Sequence, residues 1–354
     1  MNFNSFSKAL QGDIDAPFII AELSGNHNGS LDRVFQLIDA AVSAGASAVK
    51  IQTYRADTMT LNIDGGEFVI NDVNSLWKGE SLYNLYSRAQ TPWEWHRKIF
   101  DYAKERNIIC FSSPFDSSAV DLLEELNAPA YKIASFECID VPLIQKVALT
   151  KKPLLISTGM ASASEICHAV ETAQANGCRS LGLLKCTSTY PADPKSSNLT
   201  TIPHLKQLCG CEVGLSDHTP GIGVAAAAVA LGATIIEKHL TLSKDDGAVD
   251  SAFSLNPDEF KQLVTESNRA SVALGQISYG PSEDELKAIR RRRSIYVSQD
   301  LCPGDIVTSS NIQCIRPGLG LDPRYYDIVC GMKVTRPVKR GTPLSWDLLK
   351  HEST

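Results

Sequence analysis

Short β-rich runs alternate along the chain with longer stretches of helical periodicity, and the alternation repeats from Phe18 to about His239. Eight strands are expected: Phe18–Leu23, Ala48–Gln52, Ile108–Ser112, Ala130–Ile133, Leu154–Ser157, Leu181–Cys186, Glu212–Ser216 and Thr234–His239. Helices are expected between them, such as Leu31–Ala44 with Ser30 as its N-cap and Pro92–Arg106 with Thr91 as its cap. Eight strand–helix units in succession predict an α/β fold, a closed parallel (β/α)8 TIM barrel. A doubly wound open sheet also alternates. It rarely carries eight units, however, and no G-x-G-x-x-G fingerprint opens this chain.

Two stretches break the alternation. Tyr54–Gln90 is too long for an ordinary strand-to-helix connection and is rich in Asn, Asp and Gly, so it is expected to be a loop excursion over the C-terminal mouth of the barrel. Pro257–Leu274 reads as a closing helix, and a hinge follows around Tyr279-Gly280-Pro281. From Arg293 the pattern changes to short β-like runs with turn signals, such as Pro303-Gly304-Asp305 and Lys339-Arg340-Gly341-Thr342. The expected division is a barrel over 1–280, a linker over 281–292 and a small, mostly β module over 293–354. A module that small buries a limited core and is expected to dock on something.

Composition narrows the class. In 354 residues, 43% hydrophobic and 21% charged content predict a globular protein with a sizeable core. The net charge of −6 and the single basic cluster, Arg290-Arg291-Arg292-Arg293, argue against a nucleic-acid partner. No signal-peptide pattern is seen at Met1–Lys8, and no apolar stretch reaches the ~18 residues that span a bilayer. The ten cysteines form no repeated C-x2-C pair and read as reduced thiols, so a cytoplasmic protein is expected. An acidic protein that handles anionic substrates must concentrate positive charge in a site.

Polar residues cluster where the predicted strands end: Glu22, Lys50 and Gln52, Ser112-Ser113, Lys132 with Ser135 and Glu137, Ser157, Lys185 to Tyr190, Ser216 to His218, and Glu237 to His239. In a barrel these ends converge on the catalytic face. His218 and His239 would then sit on neighbouring strands and share one divalent cation. Two histidines without cysteine or a dense carboxylate set suit partly hydrated Mn2+ or Mg2+ better than closed tetrahedral zinc. Without a metal, they are two hydrogen-bonded histidines. Lys50, Lys132, Ser113, Ser135 and Ser157 could together cradle a phosphate. A Schiff-base lysine at Lys132 or Lys185 is the competing chemistry. Glu22, Glu137 and Glu237 are candidate acid–base groups. His27 stays open between ligand, substrate contact and turn residue, His96 reads as a structural surface or interface histidine, and Tyr131 as barrel packing.

The segments FIIAELSGNHNGS, AVKIQTY, FSSPF, YKIASFE, LISTGM, CTSTYP, VGLSDHT and IIEKH, in this order, resemble the sialic acid synthase family. The segment RRSIYVSQDLCPGDIVTSSNIQCIRPG resembles that family's antifreeze-like (SAF) domain. Within the family, AELS, IQTYRADTMTLN and LYSRAQTPWEWH are most similar to its pseudaminic acid synthase branch. Ser188 stands where N-acetylneuraminate synthases more often have Asn. The resemblance implies condensation of phosphoenolpyruvate with a 2,4-diacetamido-2,4,6-trideoxy hexose, with the legionaminic and N-acetylneuraminic routes as alternatives.

It further implies that His218 and His239 are metal ligands and that Lys50, Ser113, Lys132, Ser135 and Ser157 surround phosphoenolpyruvate. Glu22 matches a sugar- and metal-side acid group, and Glu137 the acid–base residue near the reacting carbons. Ser188, Tyr190, Ser216, Glu237 and Asp250 match sugar-pocket positions. Arg316 matches an arginine that reaches across a domain-swapped homodimer to the partner's sugar. A non-catalytic carbohydrate-binding protein and a metal-dependent aldolase are the rival classes.

Overall fold

In a sheet that closes on itself, the two-residue period of a strand sends one side chain into the barrel and the next toward the surrounding helices. The computed structural model describes residues 3–72 and 77–350 and contains such a sheet. Its strands are β1 (Phe18–Glu22), β2 (Ala48–Thr53), β3 (Ile109–Pro114), β4 (Tyr131–Ile133), β5 (Leu154–Ser157), β6 (Leu181–Cys186), β7 (Glu212–Asp217) and β8 (Ile235–His239). All pair in parallel in numerical order, and β8 returns to β1 to close the barrel. The protein is a (β/α)8 barrel, with strand ends within a residue or two of the sequence-based bounds.

The two faces of the strands feed two cores. Outward-facing Ile19, Val49, Tyr131, Ile133, Leu183 and Ile236 pack with helix residues such as Leu37, Ile38 and Val147. Inward-facing Phe18, Ile20, Ala48, Phe111, Leu155, Leu184 and Ile235 form a separate cluster with Phe6, Ala9 and Leu10. Phe6 and Ala9 lie on a short helix, Phe3–Ala9, which the sequence pattern did not reveal. The Phe6 ring sits 4.9 Å from Phe18 and 5.8 Å from Phe111, so this helix seals the barrel floor. Gly182 makes room for the seal, because a Cβ there would lie 2.5 Å from Leu10 Cδ2.

Helix Leu31–Ala44 starts where expected: the Ser30 hydroxyl accepts the Arg33 N–H, and Gly45 ends the helix in the left-handed region. The expected cap at Thr91 is not formed. The helix is Trp93–Glu105, Pro92 occupies the cap position, and the buried Thr91 hydroxyl has no hydrogen-bond partner among the described residues. Proline's fixed φ turns the chain into the helix without a side-chain acceptor.

Tyr54–Gln90 is also not loop throughout. It carries helical segments at Ala56–Met59, Gly66–Phe68 and Leu82–Ala89, the last capped by Ser81, while residues 73–76 lie outside the described residues. These helices are too short for their periodicity to stand out from the polar residues around them. The closing helix Pro257–Leu274 begins with a capping box between Asn256 and Glu259.

The chain divides into two compact units, Met1–Gly275 and Gln276–Thr354. The second unit pairs Ser294–Val297 with Ile312–Ile315 and Lys333–Val334 with Leu349–Lys350, both antiparallel, around Ile295, Val307, Val334 and Leu344. Segment 281–292, expected as a linker, belongs to this unit and carries helical turns at Glu283–Leu286 and Ile289–Arg291. Among the described residues no helix is long and apolar enough to cross a membrane, and all ten cysteines are free thiols.

Phe6→Ala would open a void in the floor, and a buried Phe-to-Ala change costs about 3–5 kcal/mol. Urea unfolding should show that loss. A loss below about 1 kcal/mol would mean the floor closes without this ring.

Candidate active site

Each inward column changes from apolar to polar as its strand runs toward the mouth. Ile20 gives way to Glu22, Ala48 to Lys50 and Gln52, Phe111 to Ser113, Ala130 to Lys132, and Leu155 to Ser157. Leu184 gives way to Cys186, Gly214 to Ser216, and Ile235 to Glu237 and then His239. Together with Ser135, Tyr190 and His218 these polar residues line one cavity. The cavity lies at the C-terminal ends of the strands, where barrels carry their chemistry.

Four charges are buried in its first polar layer. Lys132 Nζ lies 3.2 Å from Glu237 Oε1 and Lys50 Nζ 3.9 Å from the same oxygen, while Lys50 also pairs with Glu22. Their side chains are at most 5% exposed. The Ser216 hydroxyl donates to Glu237 Oε1 at 3.1 Å, and Lys50 Nζ donates to Ser113 Oγ at 3.1 Å.

The environment drives the two carboxyls apart. Burial pushes Glu22 up, and the neighbouring Glu237 adds to that against the pull of Lys50. Burial pushes Glu237 up as well, but Lys132 and Lys50 outweigh it and hold Glu237 below the usual carboxylate range. Glu22 is thus the group that accepts a proton readily and Glu237 the one that stays ionised. Among the described residues, Glu22 Oε1, Glu237 Oε2 and the Ser157 hydroxyl have no hydrogen-bond partner. Buried polar atoms left without partners in the wall of a cavity mark where a ligand's polar groups would fit.

One strand step nearer the mouth stand His218 and His239, with ring centroids 5.3 Å apart and planes inclined at 60°. His218 Nδ1 lies 2.9 Å from the Thr187 carbonyl, which can only accept, so Nδ1 carries the proton and Nε2 holds the lone pair in the neutral ring. Burial lowers the His218 pKa, but Cys186 and the Thr187 carbonyl outweigh it and raise it. His239 Nδ1 lies 3.1 Å from the Ser24 hydroxyl. Burial first, then His218 and Lys50, holds the His239 pKa well below its usual value and keeps the ring neutral. Two imidazoles anchored through Nδ1 form a donor pair that fits a divalent cation. Among the described residues no third His, Cys, Asp or Glu converges to make a closed cage. That donor set suits a cation that keeps water or substrate oxygens rather than structural zinc.

The remaining candidates divide by position. The Ser135 hydroxyl accepts the Gly159 N–H at 3.2 Å, and a Cβ on Gly159 would lie 2.1 Å from Ser188 Oγ. Tyr190 lies against His218, with ring centroids 4.4 Å apart, and burial raises its hydroxyl pKa. Asp250 Oδ2 accepts the Gly25 N–H at 3.4 Å and lies 3.9 Å from His239 Nδ1, behind that ring rather than in the cavity lining. Glu137 and Ser188 are likewise outside the lining. Glu137 sits in the helical turn Phe136–Ile139, and burial pushes it up to about 7. Arg316 is exposed in the second unit, just past Ile312–Ile315.

His27 resolves as a turn residue: Nε2 donates to the Ala89 carbonyl at 3.2 Å and Nδ1 accepts the Gly29 N–H at 3.1 Å, which leaves no ring nitrogen for a ligand. His96 is not on the surface as expected. It is fully buried between Thr53 and the Pro92 carbonyl, and burial lowers its pKa to about 4. Lys185 donates to the Thr187 hydroxyl at 2.9 Å and does not line the cavity, whereas Tyr131 is packed as expected and donates to Glu124.

Two features escaped the sequence. Cys186 lines the cavity, and its Sγ is 3.9 Å from His218 Nδ1. Burial raises its pKa, but His218, Ser135 and Lys132 outweigh that and bring it to about 7. Asn26 ties the loop after β1 to the loop after β8, donating to the Leu240 carbonyl at 2.9 Å and to Ser254 Oγ at 2.8 Å. Cys186 was readable from its place in the period-two column; Asn26 had no such signal.

A barrel whose mouth holds paired lysines, paired carboxylates and facing imidazoles defines a class of enzyme built for anionic and carbonyl substrates, and comparison with known proteins names it. Residues 37–279 match the NeuB family and 292–350 the SAF domain, and the chain belongs to the NeuB family. It is 43% identical to the pseudaminic acid synthase of Campylobacter jejuni over 97% of both chains. It is 36% identical to the N,N'-diacetyllegionaminic acid synthase of Legionella pneumophila, covering 93% of this chain and 94% of that one. The crystal structure of the N-acetylneuraminic acid synthetase of Leptospira borgpetersenii superposes with a TM-score of 0.68 at 33% identity, covering 77% of this chain and 90% of that one.

The raised pKa of Glu137 has a consequence for stability. Its protonated form favours the fold, a contribution fully present below the usual 4.5 and lost as pH rises through about 7. Glu137→Gln removes the buried charge. The variant should therefore be more stable than the parent at about pH 8.5, by at most on the order of 3 kcal/mol, and the two should converge as pH falls toward about 4.5. Thermal melts across that range check it, and equal melting points at high pH would show that Glu137 is not held in a charge-averse site.

Proposed function

We propose that this protein condenses phosphoenolpyruvate with 2,4-diacetamido-2,4,6-trideoxy-L-altrose to give pseudaminic acid and phosphate. The observation that carries the reading is the stacking of two layers in one cavity, lysines against Glu237 below and facing imidazoles one strand step above. The chain-long likeness to a pseudaminic acid synthase supports this sugar over the legionaminic and N-acetylneuraminic precursors.

Lys50 and Lys132 hold the phosphate and carboxylate charges of the enol phosphate, with Ser113, Ser135 and Ser157 as directed donors. Ser188, Tyr190, Ser216, Glu237 and Asp250 orient the sugar. His218 and His239 are the residues that would hold Mn2+ or Mg2+, and such an ion supplies Lewis acidity at the sugar's aldehyde oxygen. The bound geometry brings carbon 3 of the enol phosphate to the aldehyde carbon. As that bond forms, the aldehyde oxygen takes a proton from Glu137 or Glu22 and carbon 2 becomes cationic. Water adds at carbon 2 and returns one proton to that carboxylate; the tetrahedral intermediate then collapses to the ketone by C–O cleavage, and the carbon-2 hydroxyl proton leaves with the phosphate. Arg316 belongs in this scheme as a contact to the sugar of the partner subunit in a domain-swapped homodimer.

A panel of the three candidate sugars, assayed by phosphate release and by mass spectrometry of the nine-carbon product, tests the reading. The diacetamido altrose should be turned over with the highest kcat/KM. His218→Ala should lower turnover by at least about 100-fold, and chelation followed by Mn2+ should abolish and then restore the parent's activity. Undiminished activity without divalent ions would sink the account. Lys132→Met should raise KM for phosphoenolpyruvate about 10–100-fold, the loss of a charge-assisted hydrogen bond.

A further inference from the structure

On the side of β7 and β8 turned away from the cavity, Asp217 and Lys238 form an ion pair whose side chains are 2% and 0% exposed. Lys238 Nζ lies 2.5 Å from Asp217 Oδ2 and donates to the Thr219 carbonyl at 2.6 Å. The other carboxylate oxygen, Asp217 Oδ1, accepts the Thr219 N–H at 2.9 Å and the Thr219 hydroxyl at 2.8 Å. No atom of this network lines the cavity, since the strand period points Ser216, His218, Glu237 and His239 inward and these residues outward.

Its place in the chain is what matters. Asp217 and Lys238 are the last register partners between β7 and β8, so the backbone ladder ends with them. His218 lies between Asp217 and Thr219, and His239 follows Lys238. The network therefore closes the turn Asp217–His218–Thr219 on itself and ties it across to β8 just where backbone pairing stops. A buried ion pair adds little stability beyond what an apolar pair of equal size would give. It does fix direction, because Asp217 Oδ1, Asp217 Oδ2, the Thr219 N–H, hydroxyl and carbonyl, and two of the Lys238 N–H groups are all engaged within the network. Two rings that share a ligand need that, since small displacements of the backbone beneath them change their separation.

We infer that the Asp217–Lys238 ion pair, with Thr219, is the positioning device that sets the spacing of His218 and His239. The inference rests on the reading of those imidazoles as a cation-holding pair, but it concerns the chain without metal and can be tested there.

The test is the double variant Asp217→Leu/Lys238→Met, which removes both charges together; because it also leaves the buried Thr219 N–H and carbonyl without these partners, it should melt below the parent. Two-bond 1H–15N spectra of the metal-free protein should show the imidazole signals of His218 and His239 shifted or broadened. Isothermal titration with Mn2+ should give an affinity about 10–100-fold weaker than the parent's. Thr219→Val removes one hydroxyl bond at nearly constant shape. It should move the same signals by less, and it decides the matter if the double variant does not fold. Unchanged ring signals and unchanged Mn2+ affinity in folded variants would overturn the proposal, leaving the pair a packing feature. If the parent itself fails to bind Mn2+ while the ring signals still move, the cation reading fails and the positioning role stands.

Discussion

Two lysines and two glutamates buried in one layer would each be too costly alone, because a charge taken out of water must find its opposite within a few ångströms. Here the compensation converges on a single atom, Glu237 Oε1, approached by Lys132, Lys50 and Ser216. Everything else in the site follows from that convergence. It keeps Glu237 ionised, leaves Glu22 as the easily protonated carboxyl, and holds both ammonium groups where an anion can reach them. The compensation is also incomplete, since three oxygens in the same wall have no hydrogen bond among the described residues. A site that is electrostatically paired but short of hydrogen bonds is poised to gain from a polyanionic, hydroxyl-rich guest.

Most of the fold was legible because a closed parallel barrel imposes two regularities at once, strand–helix alternation along the chain and period two within each strand. Those regularities located the eight strands and put Glu22, Lys50, Lys132, Ser157, Ser216, Glu237 and His239 at strand ends, and the cavity collects all of them. The floor helix was invisible for the opposite reason. Phe3–Ala9 is only seven residues long, and its apolar face makes sense only against Phe18 and Phe111, far away in sequence. His96 was misjudged because a histidine on a helix carries no sign of whether its face turns to solvent. Burial came from contact with Thr53, at the end of β2. Asp217 and Lys238 were overshadowed by the histidines beside them; their pairing appears only when β7 and β8 lie side by side.

The two cores divide the labour of the fold. The outer one, between strands and helices, holds the barrel's shape, whereas the inner one fills only the lower part of each strand and stops where the polar columns begin. The switch from Ile20 to Glu22 or from Leu155 to Ser157 is thus a boundary between a region that stabilises and a region that reacts, drawn at the same height around the ring. Cys186 belongs to the second region, which explains why a thiol in so hydrophobic a strand is pulled toward neutral pH instead of being silenced by burial.

Because Phe6 and its neighbours stopper one end, the barrel is a blind well with a single opening. The ammonium groups lie at its bottom and the imidazoles nearer the rim. Whatever seats against Lys50 and Lys132 must therefore descend past the upper tier before anything settles there, and whatever is left below can escape only once the upper guest has made way. For any two guests that fill both tiers, the stopper thus makes traffic sequential, the lower one entering first and leaving last.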